Sequence, residues 1–196
     1  MSVSFHTGNS KDFPVICRKA LAIHKGALDN ILYTLDAGHF HPTESIAAKL
    51  AAILNFLPQV MLHVSRGVRW DSDHVVIWND ELQAIATEII HNGYQGRVNI
   101  GLDYFDASIN RVAAWVVGTR SAQKALLFAL LQPDEKLRQL QDGANFTEKM
   151  VLMEEAKTLP FGDVWAEYCR RQGVPADGDW YAAVTQYEKE VLSRRG

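Results

Sequence analysis

Leu35-Asp36-Ala37-Gly38-His39-Phe40-His41-Pro42-Thr43-Glu44 is the stretch that decides how the fold is read. The apolar run Ile31-Leu32-Tyr33 precedes it and a helical pattern follows, so it lies at a strand-to-helix junction. Asp36, His39 and His41 are all residue types that bind metals. The device recurs twice further on. Val60-Met61-Leu62 ends in His63, and Val98-Asn99-Ile100-Gly101-Leu102 ends in Asp103. Strand-like runs that each deliver a ligand-type residue at the C-terminal end are how a parallel α/β protein, and a barrel in particular, assembles an active site.

Outward from this stretch the chain alternates strand and helix. The spacing predicts a buried strand over Asn30 to Leu35, with Pro42 placed where a first helical turn accepts it. A helix follows over Thr43 to Leu57, with Ile46, Leu50, Ile53, Leu54 and Leu57 on one face and Pro58 as its stop. Gln59 to Val64 reads as the second strand, and Ser65 to His74 as a polar loop. Val75 to Trp78 is a short extended run, and Asn79-Asp80 a cap for a helix over Glu81 to Asn92 that Gly93 ends. Arg97 to Leu102 is the third strand, Tyr104 to Asn110 a loop and Thr119 to Leu131 a helix, after the apolar run Arg111 to Gly118. This β-α-β-α-β-α order implies right-handed crossovers and a parallel sheet. Beyond Pro133 four amphipathic helices are expected, over Asp134 to Asp142, Phe146 to Thr158, Phe161 to Gln172 and Asp179 to Arg195. Met1 to Asn30 carries little pattern, and Ser4 to Asp12 reads as irregular. The resulting division is a weakly patterned segment (1–29), a β/α part with the candidate site (30–131) and a helical part (132–196). Three strands cannot close an eight-stranded barrel, which takes roughly 250 residues. The sheet is therefore either open or one half of a barrel.

The totals narrow the function. The 196 residues are 47% hydrophobic and 22% charged, which is ordinary for a globular protein. A net charge of −3 gives no reason to expect nucleic acid or an anionic membrane as partner. No apolar run approaches the ~18 residues of a membrane span, and the polar start Met1 to Lys11 has no signal-peptide core. Cys17 and Cys169 lie far apart and suit a reducing cytoplasm. Four of the seven histidines, His39, His41, His63 and His74, are grouped with Asp71 and Asp73.

Each candidate has a plain alternative. Asp36 and His39 could face one cavity across a tight Asp-Ala-Gly-His turn, or Asp36 could cap the next helix while His39 lies on the surface. Asp71 and Asp73 point to one side of an extended segment, where like charges favour a shared cation. Arg66 and Arg69 could neutralise them instead. His63 could be a hydrogen-bonded core histidine, and Asp103 could pair with Arg111. Taken together, six carboxylate and imidazole donors without cysteine suit two ions of manganese, magnesium, cobalt or zinc better than a structural zinc site.

The runs Leu35 to Glu44 (LDAGHFHPTE), Leu62 to Val76 (LHVSRGVRWDSDHVV), Ile100 to Arg111 (IGLDYFDASINR) and Tyr187 to Gly196 (YEKEVLSRRG) resemble L-rhamnose isomerase. The likeness covers Asn30 to Gly196 in order. It implies the C-terminal part of a TIM (β/α)8 barrel followed by an α-helical extension, in a cytoplasmic homotetramer. The implied activity is the Mn²⁺-dependent interconversion of L-rhamnose and L-rhamnulose. It also implies that His39, Asp71 and Asp73 hold the catalytic ion and that Asp36, His63 and Asp103 hold a second, more structural one. His39 and Asp103 are the residues expected to take part in the chemistry, with Trp70 and Phe105 as apolar walls. Four features depart from the family. Its further glutamate ligand should fall near Val3, yet no acidic residue precedes Asp12. Met1 to Asp29 hardly resembles it, and the early barrel strands are missing. Gly67 also stands where proline is expected. These departures keep two other readings open: a non-catalytic half-barrel that oligomerises through its exposed sheet edges, and an isomerase of the same class acting on another sugar.

Overall fold

The computed structural model describes residues 2–4, 32–41, 43–67, 74–104 and 108–195. It divides into two compact units, Met1–Leu126 and Leu127–Gly196. The first is α/β. Its parallel sheet has the order β1 (Ser2–Ser4), β2 (Leu32–Asp36), β3 (Val60–Val64) and β4 (Val98–Leu102). Three strands were expected, and β1 is the correction. Three residues carry no readable alternation, and the strand exists only through its pairing of Ser2, Val3 and Ser4 with Leu32, Tyr33 and Thr34.

Each connection after β2 returns through a helix, as parallel strands require. α1 (Ile46–Leu54) starts later than the spacing suggested. Ser45 is its N-cap, its hydroxyl accepting from the Ala48 amide, so Thr43 lies in a turn outside the helix. Ile46, Leu50, Ile53 and Leu54 form the buried stripe. α2 (Asp80–His91) begins at the Asn79 cap and buries Leu82, Ile85, Ala86 and Ile89. Gly93 follows at φ 68°, a left-handed conformation that glycine adopts without a Cβ penalty. Arg111 to Leu130 is one helix, α3, not an apolar run followed by a helix. The Asn110 side chain caps it by accepting from the Ala113 amide at 2.9 Å. Gly118 is kept inside this helix because the Tyr104 ring lies where a Cβ would be, 2.1 Å from the phenol oxygen.

The register gives the sheet two chemically different faces. Leu35, Leu62 and Ile100 are neighbours on one face. Thr34 and Asp36, then Met61 and His63, then Asn99 and Gly101 share the other. Leu35, Val60 and Leu62 are fully buried, while β4 is open to solvent from Asn99 onward. The apolar run before Asp103 is thus partly exposed despite its residue types, because β4 is an edge of the described sheet.

The second unit is helical: α4 (Asp134–Asp142), α5 (Phe146–Glu155), α6 (Phe161–Gln172) and α7 (Trp180–Glu190). Short 3₁₀ turns, Ala156–Thr158 and Leu192–Arg194, occupy the ends of the second and fourth expected helices. Trp165 is buried and donates its indole N–H to the Ala176 carbonyl at 2.9 Å. No helix among the described residues is long and apolar enough to cross a membrane.

Candidate metal centre

Asp36 closes β2, His63 is the penultimate residue of β3, and Asp103 follows β4 directly. Asp36 and His63 are register partners. The Asp103 amide donates to the Val64 carbonyl at 3.1 Å, which extends the ladder to the acid. Three neighbouring parallel strands thus bring one donor each to one end of the sheet. An atom from each side chain lies within 4.8 Å of the others.

The electrostatics of this trio are unusual. His63 Nδ1 lies 3.5 Å from Asp36 Oδ2 and 3.1 Å from Asp103 Oδ2. It is buried, yet it makes a hydrogen bond to neither. Proximity without a directed bond leaves a buried ring nitrogen unsatisfied, and such a group needs an explanation. A cation held between two carboxylate oxygens and an imidazole nitrogen supplies one, and this oxygen-rich donor set suits a divalent ion of manganese, magnesium, cobalt or zinc type. The Asp36 carboxylate is buried, whereas the Asp103 side chain is 53% exposed.

His39 adjoins the trio. Asp36 Oδ1 accepts from the Gly38 amide at 3.2 Å and caps one 3₁₀ turn, Ala37–His39. The turn carries His39 Nε2 to 3.7 Å from Asp36 Oδ2. Asp36 therefore both caps a turn and faces the candidate centre, joining two readings that the sequence set apart. Asp71 and Asp73 lie outside the described residues, as do Arg69, Trp70 and Phe105. Arg66 turns its Nε to the Val75 carbonyl at 3.0 Å, and its backbone bridges to His74 at the base of that loop. His41 stands apart from the trio, its Nδ1 2.7 Å from the Thr43 hydroxyl. A cleft of about 220 Å³, bordered by His41, Glu44, Arg66 and Glu81, lies beside the trio but is not lined by it.

Sequence reasoning missed two supports of this region. Tyr104 follows Asp103 and donates its hydroxyl to the Ala114 carbonyl at 2.8 Å, and burial pushes its phenol above the usual range. Lys49 is 7% exposed and ion-pairs with Glu44. The signal for Lys49 was its place on the inward stripe between Ile46 and Ile53, where a cation is out of keeping.

A model of the family described as L-rhamnose isomerase (RhaA) matches residues 10–195. The chain belongs to the L-rhamnose isomerase family. The match begins at residue 10, so much of the segment read as unlike the family falls within it. An L-rhamnose isomerase of Rhodopirellula baltica (strain SH1) is 58% identical over 161 residues, which is 82% of this chain and 38% of that protein. An L-rhamnose isomerase of Escherichia coli (strain K12) is 57% identical over 162 residues, 83% of this chain and 39% of its own length. The chain thus spans less than two-fifths of the length of these relatives, and it is their C-terminal portion that it matches. The expected glutamate ligand has no counterpart at Val3. That residue pairs with Tyr33 on β1, three residues short of Asp36.

Proposed function

We propose that the chain supplies part of the active site of a metal-dependent aldose–ketose isomerase that interconverts L-rhamnose and L-rhamnulose. The observation that carries this reading is the convergence of Asp36, His63 and Asp103 in a chain of this family. In this reading Asp36, His63 and Asp103 hold one ion, and His39 with Asp71 and Asp73 holds the catalytic one. A bound divalent ion would supply Lewis-acid polarisation of the sugar's hydroxyl and carbonyl oxygens while hydrogen moves between C1 and C2. The chain's own residues then orient the open-chain sugar. In this reading His39 and Asp103 are the side chains that touch it, and their partial exposure to solvent supports that role. Trp70 and Phe105 serve as water-excluding walls. The parallel sheet is part of a TIM barrel, the helices after residue 132 are an extension of it, and the assembly is a cytoplasmic homotetramer using Mn²⁺.

A second reading is a non-catalytic half-barrel that keeps a metal site without turnover. An isomerase of the same class with another sugar is the third. Turnover of L-rhamnose by the full 196-residue chain, with Mn²⁺ and then with chelator, separates them. Chelator-sensitive formation of L-rhamnulose supports the proposal. Tight Mn²⁺ binding without turnover of any aldose supports the half-barrel, and turnover of another aldose in preference supports the third reading.

A further inference from the structure

Lys49 is one of the few charged residues buried in the described structure, at 7% exposed. Burying an ammonium is costly unless it is paired. Its amine pairs with Glu44, whose side chain is also mostly buried. The same amine lies 5.2 Å from the centroid of the Phe40 ring, within cation–π range. Phe40 is 8% exposed and ends the 3₁₀ turn that carries His39. The Glu44 amide donates to the His41 carbonyl at 2.8 Å, closing the other end of the same loop. A cation on α1 thus grips the β2–α1 loop at Glu44 and at Phe40, the residue next to His39.

We infer that Lys49 is a positioning residue of the metal centre: through Phe40 and Glu44 it fixes the loop that sets the Asp36–His39 spacing. The metal part rests on the proposed function, whereas the ordering of the loop does not. Outer-shell partners of this kind typically change metal affinity by about 10- to 100-fold when removed. A buried Lys–Glu pair could also be structural only, so the test must read the loop itself.

The experiment follows amide hydrogen exchange in the full chain for wild type, K49M, K49R and K49M/E44Q, followed by Mn²⁺ titration of each. Gly38 reports the loop, because its amide donates to Asp36 Oδ1, and Leu62 in β3 reports the fold. K49M is expected to speed exchange at Gly38 by about tenfold or more with Leu62 unchanged, and to weaken Mn²⁺ by about tenfold or more. K49R keeps the cation and is expected to keep most of the protection. The double variant removes both charges of the pair together, so it tests anchoring and serves if K49M does not fold. It is expected to remain fast at Gly38. Wild-type exchange at Gly38 in K49M or in the double variant overturns the inference. A wild-type chain that binds no Mn²⁺ overturns the proposed function and leaves the exchange result to decide the loop's anchoring.

Discussion

His63 Nδ1 lies 3.1 Å from Asp103 Oδ2 and makes no hydrogen bond to it. A histidine that only balanced charge with a neighbouring acid would point a ring N–H at it. Here the ring nitrogen faces a space shared with a second carboxylate, that of Asp36. Two carboxylates within 4.8 Å of each other repel unless a cation separates them.

This arrangement predicts effects of opposite sign for D103N. At pH 8, above the ordinary histidine range, and with chelator present, the variant should melt no lower than wild type, because it removes a like-charge contact. With saturating Mn²⁺ it should melt lower. A ligand present at 100 times its dissociation constant stabilises by about 2.7 kcal/mol, and that margin shrinks when affinity falls. Thermal melts in both buffers check this. A lower melting point in chelator with no change in Mn²⁺ would mean that Asp103 acts only as a structural partner.

G118A tests how the segment after Asp103 is held. A Cβ at Gly118 would meet the Tyr104 phenol oxygen at 2.1 Å and its ring carbon Cζ at 2.7 Å. The ring must leave, and its bond to the Ala114 carbonyl goes with it. The expected loss is roughly 1–3 kcal/mol by urea unfolding. Y104F, which removes only the hydroxyl, should lose about 1 kcal/mol.

R97A should destabilise the first unit by roughly 1.5–3 kcal/mol in the same assay. The Arg97 guanidinium donates to the Leu57 carbonyl at 2.8 Å, to the Pro58 carbonyl at 2.9 Å and to the Leu54 carbonyl. The Leu54 bond satisfies an acceptor at the C-terminal end of α1, and the other two tie down the segment that follows the helix. R97K keeps the charge without the planar fork and should recover only part of the loss.

In the second unit Glu167 accepts from Arg170 at 2.6 and 2.8 Å and from Arg171 at 2.7 Å. The bonds from Arg170, then from Arg171, hold its carboxyl down at about 2, well below its ordinary value of 4.5. A depressed carboxylate contributes support that is complete above 4.5 and lost as pH falls through about 2. Acid titration of helicity should therefore show a step in that window that E167Q lacks. The group is solvent-exposed, so the step should also shrink in high salt.

Where periodicity and punctuation agreed, the sequence was read correctly. Leu82, Ile85 and Ile89 share one face of α2, and Pro160 and Gly173 bracket α6. The failures have physical causes. The spacing starts the helix only after Gly118, whose lack of a Cβ answers to Tyr104, which lies outside the helix. Ser2–Ser4 is a strand only by virtue of its partner Leu32–Thr34, and three residues cannot show a period. Val98 to Leu102 looks like a core strand because its residue types do, although an edge position exposes Ile100 at 38%. For the site, the strand ends announced Asp36, His63 and Asp103 as candidates. The short distances among them depend on register, which local pattern does not reveal. Lys49 was hidden by the habit of assigning lysine to solvent.

The most direct test of the metal-centre account is a Mn²⁺ titration of the full chain followed by electron paramagnetic resonance, comparing wild type with H63A and D36N. The account predicts saturable binding by wild type and at least about tenfold weaker binding at one site in each variant, with the fold intact by circular dichroism. Equal binding by all three, or none by wild type, would contradict it.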